Sequence, residues 1–337
     1  MLLNNLKSIR LKRPTILWGV LSFLISHKRA AMKQQPLLGF TFALITAMAW
    51  GSLPIALKQA LSVMNAQTIV WYRFIVAAIS LLVLLAYKKK LPELMKVGQY
   101  AWLALIGVIG LTGNFLLFSS SLNYIEPSVA QIFIHLSSFG MLICGVLIFK
   151  EKLGLHQKIG LFLLLIGLGL FFNDRFDVFA GLNQYSTGVI LSVAGSLIWV
   201  AYGMAQKLML RKFNSQQILL MMYLGCAIAF MPMAEFSQVQ ELTPLALICF
   251  IYCCLNTLIG YGSYAEALNR WDVSKVSVVI TLVPLFTILF SHIAHYFSPE
   301  DFAAPELNNI SYIGAFVVVC GAILSAIGHK LLPHKTH

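Results

Sequence analysis

Two stretches of the sequence, "AMAWGSLPIALKQAL" at Ala47–Leu61 and "SLIWVAYGMAQKLML" at Ser196–Leu210, follow the same plan. Each has a tryptophan in an apolar run and a lysine eight residues later. The two tryptophans, Trp50 and Trp199, lie 149 residues apart, as do the two lysines. Repetition at a fixed offset indicates that one structural unit occurs twice. These segments therefore predict a duplicated fold.

Two further pairs of segments support the duplication. Residues 121–130 ("SLNYIEPSVA") and 267–276 ("ALNRWDVSKV") share Leu, Asn, an acid and Ser in the same order at an offset of 146. Residues 159–167 ("IGLFLLLIG") and 313–321 ("IGAFVVVCG") share two glycines seven residues apart. We expect these glycines to form surfaces on which helices pack closely.

The composition predicts a membrane protein. Of the 337 residues, 59% are hydrophobic and 11% are charged, against about 25% charged in a typical soluble domain. Apolar runs recur along the whole chain, and because they are continuous rather than alternating, they favour a helical bundle over a barrel. Ten spans are predicted near residues 36–58, 66–87, 99–121, 126–149, 156–173, 186–207, 216–234, 243–267, 273–297 and 309–330.

Five spans in each copy means that the second copy enters the membrane from the opposite side, because five is odd. The predicted fold class is an all-α integral membrane protein with ten transmembrane helices in two inverted five-helix repeats. Secondary transporters use this construction to place one substrate site at the midplane. The predicted parts are a basic N-terminal extension (1–35), two repeats (36–173 and 186–330) and a cytoplasmic tail (331–337).

The net charge of +12 is explained by topology. Fourteen Lys and Arg residues fall in the connections on one side and in the C-terminus, whereas the opposite side has only Lys58 and Arg175. Because short cytoplasmic loops retain basic residues, both termini are expected in the cytoplasm and the protein in the inner membrane. No aromatic-rich soluble segment accompanies these charges, so no nucleic-acid partner is expected.

The first residues do not fit the pattern of spans. The apolar stretch "PTILWGVLSFLIS" at 14–26 has 13 residues, too few to cross the bilayer, and basic residues flank it on both sides. It predicts either an interfacial helix or an upstream start, with Met32 as the working initiator.

No motif for chemistry accompanies the spans. The six cysteines all lie in apolar runs without disulfide or zinc spacing and are expected to be packing residues. No Gly-x-x-x-x-Gly-Lys-Ser/Thr motif for ATP and no cluster suited to metal or nucleophilic chemistry occurs. We therefore expect no metal, no cofactor and no enzyme activity, and we expect gradients to supply any energy.

The same segments resemble the two EamA repeats of the drug/metabolite transporter superfamily. The likeness is carried by "ALITAMAWGSLPIALKQ", "WYRFIVAAISLLVL" with Arg73, "LNYIEPSVAQI", "KEKLGLHQKIGLFLLLIGLGL" with Glu151, and "TLVPLFTILF" with Pro284. It covers roughly Leu37–Gly328. The resemblance implies a ten-helix permease of exporter type in a superfamily that handles amino acids, other small metabolites, drugs and sometimes lipid-linked sugars.

The chain departs from the family pattern at two places. Ser137 and Ser138 stand in the fourth span where the family often has proline. An insertion before the last span leaves either Glu300 or Glu306 as the counterpart of Glu151. These differences predict an outer gate that is built differently.

Several polar and aromatic residues inside the spans are candidates for a substrate cavity. Trp50 and Trp199, with Tyr202, are expected to wall the cavity, since a lipid-facing Trp prefers the headgroup interface; ordinary packing is the alternative. Asn114 and Asn256 either hydrogen-bond between helices or face the substrate. Gln131 and His135 lie one turn apart on the same helical face and are further candidates. His135 is either a packing residue or a substrate contact.

Charges and helix breakers inside the spans are candidates for coupling and gating. Arg73 is either a structural arginine, snorkelling outward or paired in the bundle, or a recognition group for an anion. Glu266 either pairs with Arg270 one turn later or couples transport to protons. Three residues are expected to break helices and serve as hinges: Gly51, Pro54 and Pro284.

These features predict a secondary transporter that exports a small polar or amphipathic metabolite by alternating access. A flippase for a lipid-linked carrier shares the fold and stays open, and an integral-membrane enzyme is the less favoured reading. The expected partners are a small-molecule substrate and the lipid bilayer. A homodimer is an alternative to a monomer.

Overall fold

A computed structural model describes residues 35–88, 98–149, 154–174, 183–210, 212–271 and 273–331. The N-terminal extension up to residue 34, Glu151, Arg175 and the tail beyond Leu331 lie outside the described residues. Within the described ranges all regular structure is helical. The helices are α1 (Pro36–Leu61), α2 (Ala66–Tyr87), α3 (Ala101–Ser121), α4 (Pro127–Ile132), α5 (Ile134–Phe149), α6 (Leu155–Phe171), α7 (Gln184–Met209), α8 (Ser215–Phe230), α9 (Pro244–Arg270), α10 (Val273–Ile280), α11 (Val283–Phe297) and α12 (Asn309–Leu331).

The described part confirms an all-helical protein with many apolar helices. Seven helical segments are long and apolar enough to cross a membrane, and two shorter apolar helices accompany them. The seven are Pro36–Leu61, Ala66–Tyr87, Ala101–Ser121, Gln184–Gln206, Ser215–Met233, Pro244–Ala267 and Val278–Phe297; the shorter two are Leu155–Phe171 and Asn309–Ser325.

Capping side chains set the start of several helices. Asn65, Asn183 and Asn214 each accept a hydrogen bond from the backbone amide three residues later, and Thr243 does the same for Ala246. Each of these residues satisfies one of the amides that a helix start leaves without a partner. The polar residues between these apolar runs therefore cap the helices that follow them.

Two of the predicted spans are each divided into two helices. The ninth is interrupted between α10 and α11, where Pro284 lies in the first turn of α11, as the proline predicts. The fourth is interrupted at Phe133 between α4 and α5 without any proline. The expected break at Gly51 and Pro54 is wrong, because α1 is continuous through both residues.

The helices pack in a limited set of pairs. In the described part α1 packs against α9 and α3 packs against α7, while α2 contacts α8 and α6 contacts α12. Helix α11 also packs on α1, and α5 packs on α7. These contacts surround a core in which α1, α2, α3, α7, α8 and α9 meet.

The glycine pairs in α6 and α12 form one tight interface, as predicted. A Cβ atom on Gly160 would lie 2.6 Å from the carbonyl oxygen of Gly321, and one on Gly321 would lie 2.7 Å from that of Gly160. Gly167 and Gly314 meet in the same way about two turns further along. The absence of side chains here lets the two backbones touch.

Candidate functional site

Six aromatic side chains from six helices meet in the centre of the bundle. Tyr261 contacts four of the others: its ring centroid lies 5.1 Å from Trp50, 5.8 Å from Phe115, 6.3 Å from Tyr202 and 6.4 Å from Tyr223. Phe74 joins them through Phe115 and Tyr223, at 4.5 Å and 5.8 Å between centroids. All of these side chains are buried. We call this set the central aromatic cluster; its members are Trp50, Phe74, Phe115, Tyr202, Tyr223 and Tyr261.

The two repeated tryptophans occupy different environments. Trp50 is buried, lies against Gly260 of α9 and contacts Tyr261 and Tyr264. Trp199 is only partly buried and contacts two members of the central aromatic cluster: its ring centroid lies 5.6 Å from that of Tyr202, and its side chain hydrogen-bonds with Tyr261. Trp50 therefore lies inside the bundle and Trp199 at the edge of the central aromatic cluster, and their role as cavity walls stays a prediction.

Side-chain amides hold the middle of α1. Pro54 has no N–H, so the carbonyl of Trp50 four residues earlier lacks its helical partner. The Gln131 amide donates to that carbonyl at 2.7 Å, and the Asn256 amide donates to the carbonyl of Ala49 at 2.7 Å. These bonds keep α1 helical where the sequence predicts a break.

Several buried polar atoms have no hydrogen-bond partner among the described residues. Those at or beside the central aromatic cluster are the indole nitrogen of Trp50, the hydroxyl of Tyr202 and the Oδ1 atom of Asn256, and the Nε2 atom of His135 in α5 is another. A donor and an acceptor, Trp50 Nε1 and Asn256 Oδ1, both lie beside Gly260, at 2.6 Å and 3.7 Å from where a Cβ atom on that glycine would be. Buried polar groups normally have partners, so these atoms can serve a bound polar solute or water.

Arg73 lies within the bundle and does not snorkel to its end. The side chain is 2% exposed, its Nε donates to Thr257 Oγ1 at 2.9 Å, and its Cζ lies 4.6 Å from the ring centroid of Phe115. Within the described ranges no carboxylate lies at ion-pair distance from it. Its contacts join α2 to α9 and α3 at the central aromatic cluster.

The remaining predicted site residues lie away from the cluster or bind between helices. Asn114 donates to the carbonyl of Gly195 at 2.9 Å, the helix-to-helix bond that was one of its two readings. Glu266 forms the predicted ion pair with Arg270, and both side chains are about 30% exposed. His135 is buried in α5. A coupling role for Glu266 stays a prediction.

A second polar group joins α4 to the segment before α12. The backbone amide of Glu306 donates to Glu126 Oε2 at 3.2 Å, which places Glu306 beside the start of the fourth span. The side chain of Gln59 donates to the carbonyl of Asp301 nearby. Together these bonds tie the end of α1 and the start of α4 to the insertion.

Sequence reasoning missed four members of the central aromatic cluster, although the repeat offsets contain the signal. Phe74 and Tyr223 are 149 residues apart, and their rings lie 5.8 Å apart. Phe115 and Tyr261 are 146 residues apart, and their rings also lie 5.8 Å apart. Applying the offsets to every interior aromatic residue would have found both pairs.

Comparison with known proteins decides the family. The EamA-like transporter family matches residues 37–173 and 186–327. The chain belongs to the EamA-like transporter family. The predicted resemblance is thereby confirmed, and a membrane transporter is favoured over an enzyme.

Relatives of this EamA chain are named as transporters. An "Uncharacterized transporter" of Haemophilus influenzae is 95% identical over 91% of this chain and 100% of its own length. The "Uncharacterized inner membrane transporter YhbE" of Escherichia coli K12 is 48% identical over 89% and 94%. A "Probable amino-acid metabolite efflux pump" of Salmonella typhimurium is 19% identical over 86% and 95%.

A solved crystal structure shares the EamA chain's fold. It has 17% sequence identity and a TM-score of 0.62, and the match covers 88% of this chain and 98% of the other. At this identity the similarity concerns the fold alone.

Proposed function

We propose that the protein is a secondary transporter that exports a small polar or amphipathic metabolite by alternating access. The central aromatic cluster carries this proposal, because it is buried, is assembled from six helices and includes partnerless polar atoms. Large rigid aromatic surface beside a few polar groups suits an amphipathic solute. The substrate would bind where these rings separate as the bundle opens.

Two inverted repeats of five helices each, 36–173 and 186–330, would supply the moving parts. The equivalent helices in the two repeats are α1 and α7, α2 and α8, α3 and α9, and α6 and α12. The contact of α1 with α9 therefore has an equivalent in the contact of α7 with α3. The contacts of α2 with α8 and of α6 with α12 each join two equivalent helices. This symmetry of the packing supports a ten-span architecture related by a pseudo-two-fold axis.

Aromatic pairs at the repeat offsets support the same axis. Phe74 contacts Tyr223 and Phe115 contacts Tyr261, as expected for equivalent residues that face each other across a two-fold axis. A site on this axis is equally near to both repeats. Rocking of one repeat against the other could then expose it to each side in turn.

The predicted residues receive roles in this proposal. Pro284, at the break between α10 and α11, is a proposed hinge, and Arg73 and Glu266 are the candidates for charge recognition and coupling. The proposed substrate-facing residues are Trp50, His135, Trp199, Tyr202 and Asn256, whereas the amides of Asn114 and Gln131 donate to backbone carbonyls of other helices. The E. coli relative's name and the basic-loop asymmetry support an inner-membrane location with both termini in the cytoplasm.

Metabolite profiling tests the transport function. Cells that lack the protein, cells that overproduce it and cells that overproduce a Tyr261→Ala variant are compared for compounds in medium and cytoplasm. We expect at least one compound to move outward with the wild-type protein and to be retained with the variant. A Phe316→Ala variant, changed at an exposed position of α12, is the matched control and should export normally.

Two results would overturn the proposal. If no compound changes location while membrane lipids do, the protein is a flippase for a lipid-linked carrier. If the Tyr261→Ala variant reaches normal abundance in the membrane and exports as well as the wild type, the central aromatic cluster is not the site.

A further inference from the structure

Arg73 carries a buried charge that the described protein does not neutralise. Its guanidinium contacts two neutral groups, the Thr257 hydroxyl and the face of the Phe115 ring. Among the described residues no carboxylate lies at ion-pair distance from it, and the ion pair on α9 is between Glu266 and Arg270. The positive charge of Arg73 therefore has no negatively charged partner among the described residues at the centre of the bundle.

The energetics favour a ligand over a packing role. A charged side chain in the middle of a membrane helix costs about 2.5–3.5 kcal/mol on insertion scales. A cation–π contact such as that with Phe115 offsets only about 0.5–2 kcal/mol of it. An apolar side chain of similar length would fill the same space without this cost, so packing alone does not account for Arg73.

The guanidinium of Arg73 is held in place through its Nε atom, and its two terminal nitrogens, called the fork below, take no part in that bond. Thr257 Oγ1 accepts from Arg73 Nε and itself donates to the carbonyl of Cys253 at 3.1 Å, which fixes the hydroxyl and with it the arginine. Arginine has five N–H donors, and the bond to Thr257 uses only the one on Nε. The two terminal nitrogens can bind a carboxylate through two parallel hydrogen bonds.

Apolar surface lies directly beside this fork. The Phe115 ring lies under the guanidinium and 5.8 Å from Tyr261, and the Tyr223 hydroxyl donates to the carbonyl of Thr257 at 3.4 Å. A solute held by Arg73 would therefore place its remaining atoms among aromatic rings. One cation matches one negative charge, whereas a phosphate carries about −1.5 to −2 at pH 7 and would leave a buried excess.

We infer that Arg73 and the central aromatic cluster form a recognition site for a solute with one carboxylate on an apolar body. This inference rests on the proposed transport function and narrows its substrate class. The carboxylate would lie against the Arg73 fork, and the apolar body among Phe115, Tyr223 and Tyr261.

Binding of matched probes to the purified full-length protein tests the inference. The probes are 3-phenylpropanoate, its neutral analogue 3-phenylpropanamide, and phenyl phosphate, each measured by thermal unfolding in lipid nanodiscs. We expect the carboxylate to raise the unfolding temperature and to bind at least about tenfold more tightly than the amide. Arg73→Met should remove this preference, Arg73→Lys should keep part of it, and Lys88→Met, at the exposed end of the same helix, should keep all of it.

The stability of the unliganded variant separates recognition from packing. Removing an unneutralised buried charge should leave the unfolding temperature of Arg73→Met unchanged or higher. The inference is overturned if the wild type does not prefer the carboxylate to the amide, if it binds phenyl phosphate better, or if Arg73→Met retains the preference. A less stable Arg73→Met protein beside a non-selective wild type would assign Arg73 to packing.

Failure of this inference differs from failure of the proposed function. If metabolite profiling finds exported compounds and none carries a carboxylate, the recognition site is wrong while transport stands. If the probes bind through Arg73 and no compound moves across the membrane, recognition stands and the transport function is wrong.

Discussion

Gln131 supplies the backbone hydrogen bond that Pro54 removes from α1. The proline deprives the Trp50 carbonyl of its helical hydrogen bond, and the glutamine amide donates to that carbonyl at 2.7 Å. An unpaired carbonyl in a buried site costs about 1–3 kcal/mol. The glutamine therefore stabilises the irregular α1 without needing any contact with substrate.

A double-mutant cycle tests this pairing. Gln131→Leu should lower the free energy of unfolding by about 1 kcal/mol, in keeping with typical hydrogen bonds inside membrane proteins. In a Pro54→Ala background the same change should cost clearly less, because the alanine N–H can bond the Trp50 carbonyl. Equal costs in the two backgrounds, measured by unfolding in mixed micelles, would show that the two residues act independently.

Gly260 gives a way to move Trp50 without touching it. A Cβ atom at this position would lie 2.6 Å from the indole nitrogen, whereas one on Gly262 in the same helix meets nothing within 4 Å. Gly260→Ala should therefore displace the indole and reduce export of the compound found by profiling. Gly262→Ala should export at the wild-type rate, and equal export by both variants at equal abundance would remove Trp50 from the site.

At the level of helices, α6 and α12 depend on their glycines for contact. A Cβ on Gly167 would lie 2.7 Å from the backbone nitrogen of Val318, but Gly169 in the same helix faces open space. Gly167→Ala should destabilise the protein by about 1–3 kcal/mol through overpacking, in spite of alanine's higher helix propensity. The Gly169→Ala protein should be as stable as the wild type, and a Gly167→Ala protein that unfolds no earlier would contradict this packing.

The positions of the apolar helices could be predicted from the sequence, but not all of their irregularities. Pro284 marks the break between α10 and α11 because proline cannot continue the helical ladder. No such residue marks the break at Phe133, which depends on tertiary packing. Pro54 does not break α1, because Gln131, 77 positions away in the sequence, supplies the hydrogen bond that the proline removes.

The candidate site could also be predicted only in part, because the positions of several of its side chains depend on tertiary packing. Charge and depth identified Arg73, and repetition identified Trp50 and Trp199. Tyr223 and Tyr261 read as ordinary apolar-helix residues because hydrophobicity does not distinguish an aromatic residue that faces lipid from one that faces the centre. Their positions follow from the way α8 and α9 are rotated, which packing with four other helices determines.

The central claim at the scale of the whole molecule is that the two repeats are inserted in opposite orientations. Five spans in the first repeat would place the connection before α7 outside the cell, and this connection contains Asp177. The contacts of α1 with α9 and of α3 with α7 are equivalent when the two repeats are exchanged, as expected for repeats related by a two-fold axis. With five spans in each repeat, this axis lies in the membrane plane.

Topology reporters fused after Asp177 test this claim most directly. Alkaline phosphatase, which is active only outside the cytoplasm, should be active at this fusion point, and green fluorescent protein should be dark there. The same reporters after Lys212 should give the reverse result and serve as the control. A fluorescent, phosphatase-inactive fusion after Asp177 would contradict the inverted repeat and, with it, a shared site on a two-fold axis.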